Sequence, residues 1–167
     1  MDVAELDRLP PEAFVTAVAP LFEGAPRFLA RLARERPFGD ENAMFARAEA
    51  VALAMPEGEQ IELIDAHPRL GAPPASVSAY SHHEQGYDRE TIEAVEELER
   101  LNARYEERFG FRFCVFVAGR PRAALVPVLE AALEANRAAE LKRALGDIVA
   151  IARDRYRAAT VKRAGVA

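Results

Sequence analysis

The run Phe111-Arg112-Phe113-Cys114-Val115-Phe116-Val117 is the feature that most constrains what this chain can fold into. Aromatic and β-branched residues favour extended backbone, and by propensity alone the run is a buried strand. Elsewhere the apolar residues recur at intervals of three and four, the pattern of amphipathic helices. A single strand in a helical chain has nothing to pair with. The run is therefore expected as an extended segment through the core of an all-α protein. Its backbone N–H groups would then lack a ladder partner, and a bound ligand can supply one.

The helices can be followed in order. Pro10-Pro11 suits the first turn of a first helix, and Phe14, Val18, Leu21 and Phe22 follow at helical spacing. Pro26 opens a second, with Phe28, Leu29 and Leu32 on one side. Asp40 is an N-cap for a third, whose apolar face is Met44, Phe45, Ala48, Val51, Ala52 and Met55. Pro56-Glu57-Gly58 breaks it. A short helix from Glu59 to Ala66 follows, anchored by Ile61 and Ile64. Asp88 can cap a long helix to about Arg108 that buries Ile92, Val95, Leu98, Leu101 and Tyr105, with Gly110 as its stop. Beyond Gly119 and Pro121 comes a helix with Leu125, Val128, Leu129, Ala132 and Leu133 inward. The last starts near Arg137 and carries Leu141, Leu145, Ile148, Ile151 and Ala152. Arg153, Arg155 and Arg157 crowd its end, where cations favour the dipole; they can instead hold an anionic ligand or partner. The tail from about Thr160 is expected to fray. The pattern predicts one compact helical bundle of about seven to nine helices over residues 1–167.

The chain has 167 residues, enough for one domain with a real core. A net charge of −5 with mixed signs argues against general nucleic-acid binding. No apolar run is long enough to span a bilayer. The first residues lack a basic and apolar signal pattern. The last four are not a peroxisomal address. The sole cysteine, Cys114, cannot form an internal disulfide. A soluble cytoplasmic protein is expected, without nucleic-acid or membrane partners.

The chemistry gathers at Asp65-Ala66-His67-Pro68-Arg69-Leu70-Gly71. Proline pushes the residue before it out of the helical region, so His67 is set at a helix end. There it can serve as a general acid or base, or simply bond a backbone carbonyl. Gly71 and Pro73-Pro74 make a constrained loop. Ser81-His82-His83-Glu84-Gln85 comes next, and on a helix Ser81, Glu84 and Gln85 share one face. Glu84 can hold substrate N–H groups or act as a base; a solvated glutamate is the plainer reading. Adjacent histidines on a helix point about 100° apart, and no His-x3-His spacing occurs, so no metal site is expected. Ser81 lacks a nucleophile elbow. Cys114, among Phe and Val, is expected as inert packing.

Several separated pieces, in order, resemble the decarboxylases of 2-oxo-4-hydroxy-4-carboxy-5-ureidoimidazoline (OHCU), a family of uric acid breakdown. They are Arg36-Pro37-Phe38, His67-Pro68-Arg69-Leu70-Gly71, Ser81-x-x-Glu84-Gln85, Leu101-Asn102-x-x-Tyr105, Phe109-Gly110-Phe111-x-Phe113 and Ile148-x-x-Ile151-x-x-x-Arg155. The resemblance runs from about Phe14 to Tyr156. The chain departs from the family pattern at Ala132-Leu133-Glu134-Ala135-Asn136, where the family commonly has an arginine, and at Tyr156, where it has leucine. The resemblance implies an all-α fold, no cofactor, a homodimer, and decarboxylation of OHCU to (S)-allantoin. It implies His67 and Glu84 as catalytic residues. It implies substrate binding by Pro68, Ser81, Glu84, Gln85 and the backbone of Phe113, Cys114, Val115, Phe116 and Val117. The rival readings are a non-catalytic helical adaptor on the same fold and an unrelated small-acid lyase or hydrolase. The intact His67, Glu84 and Gln85 set favours the enzyme.

Overall fold

Prolines and short polar side chains decide where the helices begin in the computed structural model, which describes residues 2–71 and 92–164. Among the described residues the chain is all-α, with eight α-helices, two short 3-10 turns and no strand. The helices are α1 (Val3–Arg8), α2 (Pro11–Val18), α3 (Pro26–Arg34), α4 (Glu41–Ala54), α5 (Glu57–Asp65), α6 (Ile92–Phe109), α7 (Val126–Leu133) and α8 (Arg137–Ala164). No described helix is long and apolar enough to cross a membrane.

Contacts divide the chain into two compact units: Met1–Ala66 with Leu145–Ala167, and His67–Ala144. In the first unit, Pro11 and Pro26 open α2 and α3 as expected. Asp40 caps α4 by accepting the Ala43 N–H at 2.8 Å. The sequence reading missed α1. Its signal was present, since Asp2 and Glu5 form a reciprocal capping box. Arg36 ties α1 down, donating to the Leu6 and Leu9 carbonyls at 3.3 and 2.6 Å while its guanidinium lies 4.6 Å from the Phe14 ring centroid. Asp7 accepts the Phe38 and Gly39 amides. The Arg36-Pro37-Phe38 motif is thus a structural latch.

Pro56-Glu57-Gly58 does end α4, but α5 starts within it, at Glu57 rather than Glu59, with Pro56 at its cap. The anchors of α5 are Leu63 and Ile64, both fully buried, while Ile61 is only half-buried. Gln60, also buried, donates to the Ala52 and Leu53 carbonyls at the end of α4. It meets acceptors that a helix end leaves unpaired.

The arginines of α8 require a correction. The helix continues to Ala164, so they do not lie in its last turn. Arg155 is buried and donates to the Pro20 and Leu21 carbonyls and to the Glu23 carboxylate. Arg153 and Arg157 share Glu41. Burial acts to raise the Glu41 carboxyl, but hydrogen bonds from both arginines outweigh it and hold Glu41 below its ordinary value. The cluster is occupied by the protein's own acceptors.

Candidate active site

The second unit holds the His67 loop, α6, the extended segment and α7. Its polar skeleton begins where α5 stops. Ala66, the cap residue, is still in the helical region, and His67 stands at a bend just beyond it. Pro68 has no N–H to offer, so the turn cannot continue. His67 is 4% exposed. Three side chains hold the loop that follows. Arg112 Nη1 donates to the His67 carbonyl at 3.0 Å. Asn102 Nδ2 donates to the Leu70 carbonyl at 2.7 Å. Arg69 pairs with Glu106, Nε to Oε1 at 2.7 Å and Nη2 to Oε2. Gly71 closes the loop at φ +89, a conformation that a side chain would strain.

Helix α6 ends at Phe109, and Gly110 at φ +76 supplies the expected stop. Leu98, Leu101 and Tyr105 are fully buried as the spacing predicted. Ala94 is buried where Val95 was expected, and Val95 is half-buried. Asp88 and the side chain of Ile92 lie outside what the structure describes.

The segment from 111 to 117 is free of regular secondary structure apart from a bend at Phe111, as expected. Phe111 and Phe113 are buried against Tyr105, with ring centroids 5.8 and 5.1 Å away. Its carbonyls are held by arginines. Arg143 donates to Cys114 O at 2.9 Å, and Arg120 donates to Phe116 O at 2.7 Å and to Val117 O at 3.0 Å. Ala118 and Gly119, both at positive φ, turn the chain. Arg143 is itself fixed by Glu140, which also accepts the Tyr105 hydroxyl at 2.8 Å. A planar trans peptide points its N–H away from its C=O. With Cys114 O and Phe116 O turned toward arginines, the Val115 and Val117 amides face the opposite way. Cys114 is buried, as the apolar run implied.

Burial, and then the Glu140 carboxylate beside it, push the Tyr105 phenol well above its ordinary value. The unfolded chain, with a tyrosine pKa of roughly 10, therefore gives up this proton first as pH rises. The stabilisation is complete below that pH and is lost above it, by about 1.4 kcal/mol per pH unit. Urea unfolding between pH 9.5 and 11 should show this extra loss in the wild type relative to Tyr105→Phe; parallel curves would mean that Tyr105 is not held protonated.

Sequence reasoning did not anticipate Arg112, Asn102, Glu140 or Arg143 as the braces of this region. Ser81, Glu84 and Gln85 lie outside the described residues, as do His82 and His83. The structure brings together His67 and Pro68 with the loop's braces, and Phe113 through Val117 with theirs; Arg112 joins the two.

Among the described residues, then, the chain is all-α, with a buried histidine just past the end of a helix and an extended core segment held by arginines. The model of the OHCU decarboxylase family matches residues 7–157. The chain belongs to the OHCU decarboxylase family. It is 29% identical over 168 residues to a 2-oxo-4-hydroxy-4-carboxy-5-ureidoimidazoline decarboxylase of Halalkalicoccus jeotgali, covering 99% of this chain and 95% of that one. It is 30% identical over 154 residues to the uric acid degradation bifunctional protein PucL of Bacillus subtilis, covering 90% of this chain. It spans only 31% of that protein's length, and the same share of a bifunctional relative from another Bacillus strain. In fold it is similar to a crystal structure of OHCU decarboxylase in the presence of (S)-allantoin, with a TM-score of 0.69, 22% identity, and coverage of 82% of this chain and 92% of that one.

Proposed function

We propose that this chain decarboxylates OHCU to (S)-allantoin in uric acid degradation, as a carbon–carbon lyase without a cofactor. The observation that carries this reading is the family match across residues 7–157, which includes the buried His67 set at a helix end. The substrate's chemistry fits a protein that supplies only acids, bases and hydrogen bonds. Its carboxylate sits on a carbon that also bears a hydroxyl, next to a ring C=N. When the bond to the carboxylate breaks, CO2 leaves and the electron pair flows into the C=N, whose nitrogen takes a proton. The enol that remains becomes a carbonyl as the neighbouring carbon is protonated from one face.

His67 takes the hydroxyl proton or delivers the proton to that carbon. Acid–base help of this kind is worth roughly 10²–10⁴-fold. Glu84 accepts hydrogen bonds from ureido and ring N–H groups, while Gln85 both donates and accepts, and Ser81 and Pro68 complete the substrate-binding set that the family resemblance implies. Amides of the segment from Phe113 through Cys114, Val115 and Phe116 to Val117 face developing negative charge. That the Val115 and Val117 amides face away from the arginines holding the neighbouring carbonyls supports this role. The same reading makes residues 1–167 a single functional domain, working as a cytoplasmic homodimer.

The test generates OHCU from urate in situ and follows circular dichroism. Uncatalysed protonation from both faces gives a racemate with no signal, so rapid appearance of optically active allantoin is the expected result. Turnover should persist after exhaustive chelation, because no histidine or cysteine spacing supports a dedicated metal site. Loss of activity in EDTA, restored by one metal, would overturn the cofactor-free reading.

A further inference from the structure

We infer that Arg112 is a positioning residue that sets the His67 imidazole by gripping the His67 backbone, so that the proton-transfer group and the 113–117 segment move as one piece. This rests on the role proposed above for His67. The chain leaves α5 at His67, and the following proline has no N–H. The His67 carbonyl meets the Arg112 guanidinium across 45 residues of sequence, at 3.0 Å. Arg112 is well placed to act as a fixed point. Its neighbours Phe111 and Phe113 are both buried against Tyr105, so its own backbone has little freedom. Three residues beyond His67, Asn102 holds the Leu70 carbonyl at 2.7 Å from the buried face of α6. The loop is thus clamped at both ends, and the clamp nearer the histidine is the residue that leads into the extended segment. A misplacement of about 1 Å in a reacting group can cost up to roughly 10²-fold in rate.

Arg112→Met keeps much of the length and removes every donor. With OHCU generated in situ, its kcat should fall about 10-fold or more while KM moves less than about 3-fold. Arg112→Lys, which keeps one donor, should recover most of the loss. Arg100→Met, a surface change on α6, should leave kcat unaltered. A second readout does not depend on turnover. The chain has three histidines, and the His67 ring signal in NMR, assigned with His67→Gln, should shift in Arg112→Met and return toward the wild type in Arg112→Lys. Lowered thermal stability with unchanged kcat and an unchanged His67 signal would make Arg112 merely structural and overturn the inference. If the wild type itself does not turn over OHCU, the proposed function fails, and the His67 signal still decides whether Arg112 sets the ring. Should Arg112→Met not fold, Arg112→Gln carries the same comparison.

Discussion

His67→Asn is expected to lower kcat on OHCU by about 10²-fold or more, with KM nearly unchanged. Asparagine keeps a polar group near the same position but cannot pass a proton at neutral pH. The change should be local. The grip on this residue is through its backbone carbonyl, which the substitution leaves in place, so Arg112 keeps its acceptor. The loop's other braces, Asn102 on Leu70 and Arg69 on Glu106, do not involve the imidazole. Helical circular dichroism should therefore match the wild type. A falling kcat at constant KM marks a group needed in the chemical step rather than in binding. Near-normal kcat on verified OHCU would remove His67 from proton transfer and leave it as a helix-ending histidine.

Local chemistry was what the sequence made legible. Pro11, Pro26, Asp40 and Gly110 each act within a turn of where they stand, and each boundary they mark lies at or within two residues of the expected place. The extended core segment was readable for a different reason: a β-favouring run in a helical chain has no ladder to join. The braces were not readable. Arg112 reaches His67 over 45 residues, Asn102 reaches Leu70 over 32, and Arg143 reaches Cys114 over 29. Such bonds have no period and no local signature; they exist only once the packing has set the distances. Burial also defied composition. Arginine is almost never fully buried unless paired, so Arg155 reads from sequence as a surface charge, although the helix continues past it and other segments supply its acceptors. Asp2 is the opposite case, a local signal legible in the sequence, since it stands three residues ahead of Glu5 in a capping box.

Arg155→Met is expected to destabilise the protein by about 3–5 kcal/mol, the typical cost of breaking a buried charged pair from one side. Arg155 is 2% exposed. Its Nη1 meets the Pro20 and Leu21 carbonyls at 3.2 and 3.1 Å, and its Nη2 meets Glu23 at 2.8 Å. Those acceptors lie in and just after the 3-10 turn Ala19–Phe22, which ends at Glu23 in a left-handed conformation. Methionine fills much of the volume but leaves two carbonyls and a largely buried carboxylate without this donor. The stranded charge dominates the cost. Arg155→Met combined with Glu23→Gln should accordingly recover part of the loss, a coupling that a double-mutant cycle in urea would measure. Arg157 makes the contrast: it is exposed and only shares Glu41 with Arg153, so Arg157→Met should cost no more than about 1 kcal/mol. If Arg155 instead served an anionic ligand, Arg155→Met would leave the urea midpoint near that of the wild type and impair binding. A loss below about 1 kcal/mol would favour that outcome over the structural role, since removing one partner of a well-packed buried pair costs more than an exposed pair ever contributes.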